Sequence, residues 1–287
     1  CINSSLFPGE ILMLYALLGY VMIAVCRLSS RSIAIIAGIL LLQPLEWGQI
    51  IIALLDPAFV INAQLDAPYW EIVNTVQKEG SFIELCKTAL WTGNIANMGW
   101  MLLHGRVTQT AGLFMVGILI GRSNLFHYTE QNIRFWTKVF IAVTIAFFPI
   151  YGLTAILPDF ITREALLVPS TLLLKSLSNI AFTGILFAGV ILVYYLTKLK
   201  GVLHQLAPYG RMSLTNYLSQ SLIGGFLFYN WGLGLYRYTG ITVCILIGVG
   251  IFFIQFCFCH WWLRSHPQGP LEWLWKKATW INVGNRL

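Results

Sequence analysis

Charge is scarce in this chain. Only 10% of its 287 residues are Asp, Glu, Lys or Arg, against about 25% in an ordinary soluble domain. With 57% of residues hydrophobic, too little polar surface remains to cover a water-soluble molecule. A Walker A loop, a dinucleotide-binding glycine motif, an HExxH and a GxSxG are all lacking, so ATP-driven and familiar hydrolase chemistries have no signature here. The six cysteines form no spaced framework: Cys26, Cys244, Cys257 and Cys259 lie in or beside apolar runs, where a thiol behaves as a small hydrophobe. In "CFCHWW" the Cys257, Cys259 and His260 side chains diverge around a helix, and no metal is expected there. The net charge of +7 does not point to nucleic acid, because the cations are scattered through short loops. The opening "CINSSLFPGE" has no basic region before an apolar run, so it does not read as a signal peptide.

What the chain does have is long apolar runs. A helix crossing the hydrocarbon of a bilayer needs about 20 mostly apolar residues. Seven segments fit: 11–27, 32–55, 107–122, 136–157, 177–197, 212–233 and 241–263. The expected fold is all-α, a polytopic transmembrane helix bundle of about seven spans forming a single membrane domain over 1–287. Lys and Arg accumulate on the cytoplasmic side, and four alternate loops hold 12 of the 18 basic residues, including Arg27, Arg122, Lys198, Lys200, Arg211 and Lys276. The chain start is therefore expected outside and the C-terminus in the cytoplasm. The long polar insert 56–106 then lies outside as an amphipathic roof. The segment 264–287, broken from the last span by Pro267, Gly269 and Pro270, reads as a cytoplasmic interfacial helix with Trp273 and its neighbouring lysines as anchors.

Within this apolar frame a few polar clusters stand out. "GRMSLTNYLSQS", residues 210–221, places Ser213, Asn216 or Tyr217, and Gln220 along one helix face, with Arg211 at its cytoplasmic end. Such a stripe must face other helices or a water-filled cavity. It reads either as interhelical glue or as the wall of a substrate or cofactor cavity. Under the cavity reading, Asn216→Ala and Gln220→Ala abolish ligand binding. Glu46 is the one carboxylate within a span, and Pro44 and Gly48 beside it suggest an interrupted helix. Glu10 stands at the external start of the first span, where a helix dipole favours an anion. His104 and Arg106 stand at the start of the third, either as an ordinary interfacial pair or as a general base beside an anion clamp. Arg264 and Glu272 are placed to pair across the C-terminal turn.

Three of these stretches, "GRMSLTNYLSQS", "FYNWGLGLY" and "WLRSHPQGPLEWLWKKATW", resemble the C-terminal half of the YeiB-like bacterial membrane proteins, a domain of unknown function. "FPGEILMLYALLG" resembles that family's Gly-Asp-Ile-Leu segment, with Glu10 in place of Asp, and "LFMVGILIGR" resembles its Gly-rich central span. The resemblance implies a bacterial inner-membrane, multi-pass protein. It also implies about three further helices before this chain. The family is grouped with transmembrane acyltransferases, which implies acyl transfer from a cytoplasmic acyl-CoA, such as acetyl-CoA, to a small-molecule or glycan acceptor. In those relatives the catalytic His belongs to the N-terminal part, so no His here inherits that role by motif. On this reading Arg211, Lys198 and Lys200 meet the CoA phosphates, Asn216, Tyr217, Gln220 and Glu46 line a cavity, and Glu10, His104 and Arg106 serve an acceptor at the outer face. A solute transporter, suggested by Glu46 in a broken helix, and a non-catalytic membrane scaffold stand as alternatives. Lipid is the expected surroundings, and a homo-oligomer is compatible with the sequence.

Overall fold

The computed structural model describes residues 7–61 and 65–280, and all their regular structure is helical. The helices are α1 (Leu12–Val25), α2 (Ser30–Leu41), α3 (Pro44–Leu55), α4 (Ala67–Glu79), α5 (Phe82–Thr88), α6 (Asn94–Leu103), α7 (Arg106–Arg122), α8 (Glu130–Phe160), α9 (Glu164–Leu196), α10 (Lys200–Gln205), α11 (Ala207–Arg211), α12 (Ser213–Phe228), α13 (Ile241–Trp262) and α14 (Pro270–Thr279). A π-helical turn, Ala89–Gly93, joins α5 to α6.

Helix is present at all seven places read from the sequence, but its length varies. By length and composition α8, α9 and α13 can each cross a membrane, and α2 with α3 makes a fourth span if the bent pair counts as one. The helices α1, α7 and α12 have 14, 17 and 16 residues. At 1.5 Å per residue they reach roughly 21–26 Å, short of a hydrocarbon core of about 30 Å. Seven clear spans are therefore not observed. The apolar windows had counted residues such as Met212 and Trp231–Leu233, which the chain uses in a cap and a loop instead.

The break in the second segment has a local cause. Proline disfavours the helical conformation in the residue before it, and Gln43, preceding Pro44, takes a left-handed conformation with φ 58°. The axes of α2 and α3 differ there by 47°. Other helix starts follow ordinary capping chemistry. Ser29 accepts a hydrogen bond from the Ser32 amide, Thr129 from the Asn132 amide, and Ser81 forms a capping box with Glu84.

The chain packs as two compact units. One contains Ile11–Pro68 and Ile95–Lys198. In it α8 lies along α9, α9 also meets α3, and α7 packs on α2 and α1. Ala165, Pro169, Leu173 and Ser176 recur every three or four residues as the buried stripe of α9. Val25, Ile33, Ala37 and Met115 form one of the apolar clusters. The Arg163 guanidinium closes the far end of α3 by donating to the carbonyls of Ala53, Asp56 and Pro57 at 2.5, 2.8 and 3.0 Å.

The other unit contains Cys1–Glu10, Tyr69–Asn94 and Leu199–Leu287, of which 1–6 and 281–287 lie outside the described residues. There α13 meets α11, and α14 meets α12. The end of α4 is tied to the loop after α12. Asn230 donates its backbone N–H to the Gln77 carbonyl and its side-chain amide to the Glu79 carbonyl, while the Tyr236 hydroxyl donates to Lys78.

Candidate functional site

The polar stripe that dominates the sequence folds into a closed network in the unit holding α10–α14. Asn216 is buried, and its amide donates to the Tyr209 carbonyl at 3.0 Å and to the Cys259 sulfur at 3.3 Å. Gln255, also buried, donates to the Asn216 carbonyl at 3.0 Å and to the Ser219 hydroxyl at 2.8 Å. Its amide oxygen accepts from Gln220 at 2.9 Å and from the Tyr209 hydroxyl at 3.0 Å. Partial burial pushes the Tyr209 phenol above its ordinary value, and the nearby Cys259 adds to that shift. These side chains join α11, α12 and α13 by satisfying one another. Ser213, expected on the same inward face, is exposed at the first turn of α12.

At the foot of the network the C-terminal motif is explained. Glu272 accepts from the Thr215 amide at 3.0 Å and from its hydroxyl at 2.5 Å. The Glu272 carboxylate thus turns to Thr215, not to Arg264 as the sequence suggested. A carboxylate is better served by two converging donors on a helix N-terminus than by an exposed cation across a turn. Gly269 is required for space, since a Cβ there would overlap the Glu272 carboxylate and come within 2.9 Å of the Thr215 hydroxyl. Arg211 donates to the Pro267 carbonyl at 2.5 Å and holds the same turn. Pro270 opens α14, and Lys277 lies over the Trp273 ring at 4.9 Å. Glu10 is buried in this unit and accepts from the Tyr217 hydroxyl at 3.4 Å.

In the α1–α3 and α6–α9 unit the arrangement is different. Glu46, 3% exposed, faces the turn between α6 and α7. The Gln43 amide, its nitrogen oriented toward them, donates to the Glu46 carboxylate and the Gly105 carbonyl, each at 3.2 Å. Gly105 has φ 63°, and a Cβ on it would overlap the Glu46 carboxylate. Glycine is therefore demanded twice, by conformation and by space. This turn fixes the residues on either side of it, His104 and Arg106. Trp100, one turn back on α6, stacks on His104 with ring centroids 4.7 Å apart, and the Arg106 guanidinium lies 5.7 Å from the same ring. His104 Nδ1 lies 2.9 Å from the Trp100 carbonyl. A proton on Nδ1 satisfies that contact and leaves Nε2 as the basic nitrogen.

Two cavities of this unit share His104 and Leu172. The polar one, about 430 Å3, is lined by Arg106, Tyr151, Thr154, Lys175, Ser176, Ser178 and Asn179 besides the shared pair. The apolar one, about 330 Å3, is lined by Gln49, Phe59, Val60, Ile61, Leu65, Leu103 and Val168. Among the described residues no carboxylate comes within ion-pair distance of Arg106 or Lys175, and the one ion pair is the exposed Arg134–Glu130 contact at 3.2 Å. Within each unit the structure groups these residues separately. Glu46 belongs with His104 and Arg106, while Arg211, Asn216, Tyr217 and Gln220 belong with Glu10 and Glu272 in the other unit. Gln255, Thr215 and Tyr209 were missed. A lone amide inside "FFIQFCFC" was signal enough for Gln255, and the polar run "KSLSN" for the cavity wall on α9. Nothing in the sequence linked Thr215 to Glu272.

Residues 120–282 match the family described as "Protein of unknown function (DUF418)". The chain is 40% identical over 93 residues to the uncharacterized protein YxaH of Bacillus subtilis, covering 32% of this chain and 23% of that relative. It is 33% identical over 189 residues to the uncharacterized protein YeiB of Escherichia coli, covering 64% of this chain and 45% of the relative. The chain thus spans less than half the length of either relative. No solved structure matches it.

Proposed function

From a chain that belongs to the YeiB-like DUF418 family, whose description assigns no activity, we propose a multi-pass membrane acyltransferase with its acceptor site at His104. We take the seven helical segments as spans of a bacterial inner-membrane bundle, the chain start outside and the C-terminus in the cytoplasm. Hydrogen bonds within each unit support this path by joining loops assigned to one side. Arg122 reaches the carbonyls of Cys26 and Leu28, Arg163 those of Asp56 and Pro57, and Tyr236 that of Lys78.

The observation that carries the reaction is a histidine whose Nδ1 lies 2.9 Å from the Trp100 carbonyl, at the junction of a cavity lined by two cations and a mainly apolar one. Acyl transfer needs a base to take the proton of an acceptor hydroxyl or amine as it attacks the thioester carbonyl, and the thiol of coenzyme A then leaves. His104 is that base, and Arg106 and Lys175 orient the acceptor. The donor is an acyl-CoA, acetyl-CoA among them, its nucleotide end on the side that carries Lys198, Lys200 and Arg211 and its acyl-pantetheine arm extended through the bundle toward His104. The full-length protein in liposomes, given labelled acetyl-CoA and candidate acceptors, releases CoA thiol and labels an acceptor, and His104→Gln lowers that turnover about 10²-fold or more. Acceptor labelling that is unchanged in a folded His104→Gln variant overturns the assignment.

The break between α2 and α3, with Glu46 buried beside it, favours solute transport as the second reading. Solute flux without any acyl donor in the same liposomes selects it.

A further inference from the structure

Two open cavities meet at His104, one lined by two cations and the other mainly by apolar side chains, and together they describe a ligand. The polar lobe holds Arg106 and Lys175, two cations with no carboxylate partner among the described residues. Glu46, the nearest carboxylate named around this turn, points to Gln43 and Gly105. Arg106 keeps one donor on the Gln109 side-chain oxygen at 2.9 Å, and its planar fork has further donors available. Arg106 is half-buried and Lys175 exposed, so both can turn to an anion entering this cavity, through charge-assisted hydrogen bonds. The wall of the apolar lobe includes Phe59, Val60, Ile61, Leu65, Val168 and Leu172, with Gln49 and the shared His104 as polar members, and Arg163 holds the turn that carries Phe59. Its volume of about 330 Å3 lies at the lower end of the range for small-molecule pockets, about 300–1,000 Å3.

We propose that this paired cavity binds a medium-chain anionic amphiphile, its carboxylate or phosphate head on Arg106 and Lys175 and its tail among Val168, Leu172 and Phe59. This deepens the acceptor site proposed above, and rests on it only for the claim that the amphiphile is modified. Binding itself requires no acyl donor. A free carboxylate or phosphate shares the head chemistry, but leaves the apolar lobe empty.

Titrations of octyl phosphate, inorganic phosphate and octyl glucoside into the full-length protein, in nanodiscs of zwitterionic lipid and without acyl-CoA, test the proposal. Octyl phosphate is expected to bind at least tenfold more tightly than either of the others. Arg106→Gln reduces that affinity at least tenfold. Val168→Trp, which fills the apolar lobe, removes the preference over inorganic phosphate. A series from butyl to hexadecyl phosphate on the unaltered protein gives affinity that rises with each added methylene until the lobe is covered, and then levels. Equal affinity for inorganic phosphate overturns the tail site, and equal affinity for octyl glucoside overturns the anion site. A series in which affinity does not rise from butyl to octyl phosphate overturns the apolar lobe. Binding as expected without acyl-CoA turnover upholds this ligand and refutes the acyltransferase, whereas turnover without octyl phosphate binding does the reverse.

Discussion

The α11–α13 network and the His104 cavity are both polar islands in an apolar chain, yet they have opposite hydrogen-bond balances. Around Asn216 and Gln255 the donors meet acceptors from a neighbouring helix. Around His104 two cations face open volume. Polarity in a membrane segment is thus an ambiguous sign until its partners are known. A satisfied network fixes helix positions, while cations with no carboxylate partner among the described residues keep the capacity to bind an anion.

The largest effect that separates the two regions is on turnover. His104→Gln is expected to remove about 10²-fold or more of acyl transfer while leaving the thermal transition of the purified protein in place. Gly105→Ala is expected to be the most destabilising single change near the cavity. The new methyl would sit at φ 63° against Glu46, a cost of about 3 kcal/mol from strain and overlap. Thermal unfolding in detergent reads it as a lowered transition, and an unshifted one would remove Gly105 from the set that fixes His104.

Asn216→Ala sharpens the comparison from the other side. A network role predicts about 1–2 kcal/mol of lost stability, with ligand affinity per folded molecule unchanged. Loss of affinity at unchanged stability would return Asn216 to a ligand cavity. The smallest effect lies in the α5 cap. Hydrogen bonds from the Ser81 amide and hydroxyl hold Glu84 below its ordinary value of 4.5. A carboxylate whose folded value is depressed stabilises its cap above its unfolded value, and loses that contribution as pH falls through the folded one. The protection factor of the amides at the start of α5, the intrinsic exchange rate at each pH divided by the observed one, should therefore fall in acid, and Glu84→Gln should flatten that dependence.

The helical class was legible because long apolar runs with little charge leave few other structures. Individual boundaries followed from caps, such as Pro44, Ser81 and the Gly269–Pro270 pair. Span lengths were less legible: a hydropathy window counts apolar residues wherever they lie, and Met212 and Trp231 are apolar without being helical. The candidate site was half legible. His104, Arg106 and Glu46 each drew notice alone, but their spacing along the chain hid the turn at Gly105 that brings Glu46 beside the other two. Lys175 and the apolar lobe passed unremarked, because "KSLSN" reads as the ragged head of a span.

By itself the sequence determined the apolar helices, their caps and breaks, and the family motifs, since these depend on residues within a few positions of each other. Tertiary structure alone decided which polar residues are partners. Asn216 with Gln255, Glu272 with Thr215, and Glu46 with Gly105 are contacts between distant parts of the chain. Whether a buried amide or carboxylate is satisfied depends on what the fold brings within about 3 Å of it.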